Sequence, residues 1–114
     1  MTNFEQAKDA VLEFRDMRNW EQFHNPKDLA ISISLEAAEL LEHFQWSGSD
    51  CICAEKTDGQ IEELADVLIY CILLANRLGV DPAEIVLEKV KKNSAKYPVE
   101  KAYGSSLKYT EFDL

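Results

Sequence analysis

Between Leu64 and Ala75 the chain reads LADVLIYCILLA, apolar on every side of a helix except at Asp66. A helix that is apolar all round is buried all round, so any fold of this chain must cover the segment from several directions. Its longest unbroken apolar run, Val67 to Ala75, is nine residues, well short of the roughly 20 that cross a bilayer. Neither a membrane span nor a membrane partner is therefore expected. One chain of this length has few other helices to offer, so subunits are expected to complete the cover, as a dimer or a dimer of dimers.

Those other helices are marked by their ends. Thr2-x-x-Glu5 reads as a capping box ahead of Phe4, Ala7, Val11 and Phe14, giving a first helix to about Asn19. Asn25-Pro26 supplies an N-cap and a first-position proline, opening a second helix to about Gln45. The apolar helix starts near Thr57 or Asp58, with Thr57-x-x-Gln60 as a capping box, and stops at Gly79. Asp81-Pro82-x-Glu84 opens a fourth that ends near Lys96, before Pro98. With no long strand pattern and no repeats, the fold class is all-α, a four-helix bundle in a single domain over 1–114 with an irregular tail at 97–114.

Charge and cysteine usage narrow the function. A net charge of −9 repels phosphate backbones, so no nucleic-acid polymer is expected as a partner. The start, MTNFEQAKDAVLEF, has neither a basic n-region nor an apolar core, and a cytoplasmic location follows as the expectation. Cys51, Cys53 and Cys71 are odd in number and lack paired metal-binding spacing, so no disulfide framework or zinc site is indicated. Cys71, inside the apolar helix, is expected in the core.

The acid inside that helix is the anomaly. A buried ionised carboxylate must be protonated, paired or bound to a metal. Glu63-x-x-Asp66 repeats the spacing of Glu36-x-x-Glu39 on the preceding helix, and residues three apart share a helix face. In an antiparallel hairpin Glu36 lies roughly 13 Å from the end of its helix and Asp66 roughly 12 Å from the start of the next, so the two pairs come level. Four carboxylates then face one space, and an all-oxygen set suits a hard ion, Mg²⁺ with Mn²⁺ as a substitute. A single Glu-x-x-Glu is ordinarily a solvated face, but two pairs at matched heights on apolar helices are not. Glu42 and Glu62 flank the pairs and are expected in solvent. A ferritin-like di-metal site would need two Glu-x-x-His motifs, and the chain offers only Glu21-x-x-His24.

Glu36-Ala37-Ala38-Glu39 followed by Glu62-Glu63-Leu64-Ala65-Asp66-Val67 resembles the split signature of the all-α, MazG-like nucleoside triphosphate pyrophosphohydrolases. WEQFHNPKDLA, HFQW, NSAKYP and SSLKYTEF extend the likeness over about residues 18 to 113, and it is most similar to the dCTP pyrophosphatase branch. The resemblance implies Mg²⁺-dependent hydrolysis of a (deoxy)nucleoside triphosphate, dCTP or a related dNTP, to monophosphate and pyrophosphate, as nucleotide-pool house-cleaning. It further implies that Glu36, Glu39, Glu63 and Asp66 hold the metal. By the same likeness Trp20 and Trp46 would stack on the base and His24 would read it. Tyr70 would lie near the sugar or a phosphate, Lys89 and Asn93 would approach the nucleotide, and Lys89 with Lys96 would contact the phosphates. The alternative is a non-catalytic oligomeric helical module that binds nucleotide or metal. A metal-dependent phosphohydrolase releasing terminal phosphate is a third reading.

Overall fold

The computed structural model describes residues 3–113, and every regular element among them is helical. Four long helices, α1 (Phe4–Met17), α2 (Pro26–Glu42), α3 (Thr57–Arg77) and α4 (Pro82–Lys96), are followed by a short α5 (Val99–Ala102). Single 3₁₀ turns lie at Glu21–Phe23, Ala54–Lys56 and Tyr109–Glu111. The tail expected to be irregular thus contains a helical turn and a 3₁₀ turn.

The helix ends show where sequence signals acted. Asn25 and Asp81 cap α2 and α4 as expected, their side chains accepting from the backbone N–H of Asp28 and Glu84. Both helices also carry proline in the first turn. Gly79 takes φ 74° beyond α3, where the N–H of Val80 donates to Ala75 O at 3.0 Å and that of Gly79 to Asn76 O at 3.0 Å. This paired pattern is a Schellman motif, and it needs a left-handed residue at its centre. The first-helix cap falls one residue later than expected. Asn3 and Gln6 form the reciprocal box, while Thr2 lies outside the described residues. Thr57 and Gln60 are not a capping box either. The Thr57 hydroxyl donates to Ala54 O, and the Gln60 amide donates to the carbonyls of Ile52 and Cys53, so both side chains tie the preceding loop to α3. The second helix stops at Glu42, after which single turns continue to Trp46, at φ 64°.

The chain forms two compact units, Met1–Val80 and Asp81–Leu114. In the first, α2 packs along α3 and α1 packs on α3. The α2–α3 pair is antiparallel, because His43 at the end of α2 lies against Gly59 in the first turn of α3. Leu29, Ile72, Leu73, Ala75 and Cys53 form the buried core. Cys53, not Cys71, is the core cysteine, and all three are free thiols. Cys71 instead sits on an uncovered α3 stripe with Ile61, Leu64 and Leu68. On α2, Ile31, Leu35 and Leu41 are uncovered too. In the second unit, Tyr97 meets Tyr109 and Phe112 edge-on at 5.8 and 5.7 Å.

Candidate active site

The hairpin brings a crowd of carboxylates together. One ligand atom from each of Glu36, Glu39 and Glu63 lies within 4.8 Å of the other two. Oε2 of Glu36 and Oε2 of Glu63 are sealed from solvent with no hydrogen-bond partner. Burial first, then the adjoining Glu39 carboxyl, then Glu63 and Asp66 push Glu36 up to about 7. Glu63 is raised too, by burial and next by Glu39. Carboxylates this close cannot all ionise unless a cation joins them, so near neutral pH the group retains a proton. The donor set is all oxygen, half-buried and partly orphaned, and it fits a hard divalent metal ion. Glu42 and Glu62, the flanking acids, are exposed.

Asp66 stands outside that trio. It lines an adjoining cavity of about 340 Å³ whose walls come from α1, the turn after it and α3. Tyr70 shares the wall, as its spacing of one turn from Asp66 predicts. Trp20 and His24 are there also. Trp20 is held by a second Schellman motif: Asn19 turns left-handed at φ 53°, and the N–H of Trp20 donates to Arg15 O at 3.1 Å. Its ring meets Phe14 edge-on at 5.6 Å. His24 is held below its ordinary pKa, first by burial and then by the Arg15 cation, against a weaker pull from Glu21. Its ring is therefore neutral at pH 7, and its buried Nδ1 has no partner. A neutral imidazole with a free nitrogen beside an aromatic wall can exchange one hydrogen bond with a planar polar ring.

Arg15 is the wall residue that sequence reasoning missed. Only 7 % exposed, it donates from Nη1 to Asn76 Oδ1 at 2.7 Å and from Nε to Asp16 Oδ1 at 2.8 Å. Glu21 lies 3.7 Å from Nη2. A buried guanidinium needs such partners, and here they pin α1 to the end of α3. The available signal was spacing: Val11, Phe14 and Arg15 share one face of α1, so a charge stood where an apolar residue would ordinarily be.

The other expected site residues are exposed side chains. Trp46 is 93 % exposed and is not part of the cavity wall. Lys89, Asn93 and Lys96 are exposed on α4, in the second unit. The Lys96 ammonium sits 5.1 Å over the Tyr109 ring.

Known proteins share this arrangement of sequence and fold. Residues 31–112 match the model of the MazG-like family. Proteins named dCTP pyrophosphatase 1 from Mus musculus and Homo sapiens are 40 % and 42 % identical to the chain, each over 87 % of it. The chain spans 61 % of the length of each of these relatives. A pyrophosphatase crystal structure from Archaeoglobus fulgidus superposes with a TM-score of 0.75 at 45 % identity, covering 86 % of this chain and 94 % of that one. A family match across the carboxylate hairpin and most of the remaining chain decides the assignment: this chain belongs to the MazG-like family.

Proposed function

We propose that the protein is a Mg²⁺-dependent nucleoside triphosphate pyrophosphohydrolase, with dCTP and related deoxynucleoside triphosphates as its leading substrates. The observation that carries this reading is the adjacency of two unlike surfaces in one unit. Glu36, Glu39 and Glu63 form an oxygen-rich, charge-crowded group, and Asp66 links it to an aromatic-walled cavity. A triphosphate with its cation suits the first, and a base and sugar suit the second. The names of the curated relatives point to the same substrate class.

On this reading Glu36, Glu39, Glu63 and Asp66 hold Mg²⁺, with Mn²⁺ as a working substitute. When bound, the metal supplies charge neutralisation on the phosphates and acidification of bound water. The carboxylates fix the triphosphate relative to the attacking water. Oxygen adds to the α-phosphorus, the α–β anhydride bond breaks, and pyrophosphate departs with the bridging oxygen. A carboxylate beside the attacking water takes its proton. Trp20 stacks on the base, the free nitrogen of His24 reads its edge, and Tyr70 approaches the sugar. By the family likeness Trp46 is proposed as a further base contact, Lys89 and Lys96 as phosphate contacts and Asn93 as a contact to the nucleotide. Clearing unwanted dNTPs would place the protein in the cytoplasm.

The uncovered apolar stripes on α2 and α3 support assembly with further copies, as a dimer or a dimer of dimers, because large exposed apolar faces mark interfaces. Light scattering on the eluting protein should give at least twice the 13.0 kDa chain mass. Leu68→Glu should lower that mass, and a monomer at every concentration would contradict the assembly.

The reaction is tested by incubating the protein with Mg²⁺ and each common ribo- and deoxyribonucleoside triphosphate, then separating products by anion exchange. Monophosphate plus pyrophosphate, fastest from dCTP, supports the proposal. Diphosphate plus orthophosphate would overturn the reaction, and binding without turnover would favour a nucleotide-binding module.

A further inference from the structure

We propose that His43 is a positioning residue for the Glu63 carboxylate, seated by the missing side chain of Gly59, and that it sets the affinity of the acidic group for a divalent cation. This rests on the metal-holding role proposed above for Glu36, Glu39 and Glu63.

Gly59 lies inside the first turn of α3, and glycine in a helix costs stability relative to alanine. Its φ lies outside the left-handed range, so no unusual backbone demands glycine there. What demands it is the His43 ring. A Cβ built on Gly59 would fall inside the contact radius of His43 Cε1, and 2.9 and 3.0 Å from Nδ1 and Nε2. The Cε1 side of the imidazole thus lies against α3 at Gly59, one turn before Glu63. From that seat Nε2 comes to 4.0 Å from Glu63 Oε1.

Oε2 of Glu63 is meanwhile sealed and unpartnered. The carboxylate is therefore approached at one oxygen by a ring that can donate, and left with the other for a cation. At 4.0 Å the two atoms are still beyond hydrogen-bond distance; closing that gap as a cation seats Glu63 would make the ring an orienting group of the kind that governs metal affinity without touching the metal. The ring is itself confined, its side chain only 27 % exposed, so it has little freedom to yield when Glu63 moves.

The test is Mn²⁺ binding to the metal-stripped full chain, read from the electron-paramagnetic signal of free Mn²⁺, with no substrate present. His43→Leu fills the space without a donor and should weaken binding about tenfold, whereas His43→Gln restores a donor and should stay within about threefold of the wild type. Gly59→Ala must displace the ring, so it should weaken binding as His43→Leu does. The double variant should be no weaker than the worse single, because both changes remove one interaction. Melting of the metal-free proteins, followed by helical circular dichroism, checks folding. Should His43→Leu fail to fold, Gly59→Ala decides alone, since alanine favours the helix. Wild-type affinity in a folded His43→Leu or Gly59→Ala would overturn the inference, and additive losses would overturn the link between the two residues. A wild-type chain that binds no Mn²⁺ would overturn the proposed metal site itself, a result distinct from equal binding by all variants.

Discussion

The carboxylate group and the cavity beside it occupy the same unit but are built in opposite ways. The carboxylates come from two neighbouring helices, each contributing on its inner face, and a single hairpin register brings them level. The cavity draws on α1, the turn after it and the middle of α3, parts separated by most of the first unit. One is crowded with like charge and holds orphaned acceptors, while the other is mainly apolar, with the His24 imidazole, the Arg15 guanidinium, Tyr70 and Asp66 as its polar groups. On the proposed reading the difference separates the work: charge crowding would hold the cation that carries the phosphates, and a wall assembled from distant segments would discriminate among bases.

That division can be broken by mutation. The largest effect should come from Glu39→Ala or Asp66→Ala, each lowering Mg²⁺-dependent hydrolysis by about three orders of magnitude, as expected when several kcal/mol of charge stabilisation is lost. Steady-state rates on dCTP would show it, and full activity in both variants would end the metal-cage assignment. Next, Trp20→Ala should raise KM about ten- to a hundredfold with kcat less affected, the range that loss of one base stack produces. A fall confined to kcat would move Trp20 out of the base pocket. His24→Ala should act more weakly, by about tenfold or less in kcat/KM, and unequally across bases, because one neutral hydrogen bond is removed. Equal losses on all four bases would reduce His24 to a packing residue.

The smallest effect concerns stability without metal. Glu36 is raised to about 7 in the folded chain, above the ordinary carboxylate value it regains on unfolding. Between those values the folded state binds more protons, so this group's contribution is full at low pH and is lost as pH climbs from about 4.5 through 7. Melting of the metal-free protein should show a declining contribution over that interval, and Glu36→Gln should flatten it. Saturating Mg²⁺ should also reverse the decline by binding the ionised form. An unchanged slope in Glu36→Gln would assign the pH dependence to other groups.

The same contrast governs what the sequence made legible. Asn25-Pro26, Asp81-Pro82 and Gly79 bound their helices through short-range rules, so they could be read directly. The acidic trio was legible because its spacing lies within helices and only one loop had to be crossed. Arg15 and Cys53 were not, since their burial depends on what arrives from distant segments. Cys71 was expected inside because its neighbours are apolar, yet it lies on the stripe with Leu64 and Leu68 that α1 and α2 leave uncovered. Thr57 and Gln60 carried the letters of a capping box but found better acceptors in the loop behind them. The seat of His43 against Gly59 joins residues on two helices, so no local pattern could announce it.

The most direct measurement is hydrolysis of dCTP with Mg²⁺ in ¹⁸O-labelled water, with both products weighed by mass spectrometry. The account predicts one labelled oxygen in dCMP and unlabelled pyrophosphate, the mark of attack at the α-phosphorus. Label in the pyrophosphate, or release of orthophosphate with dCDP, would contradict it.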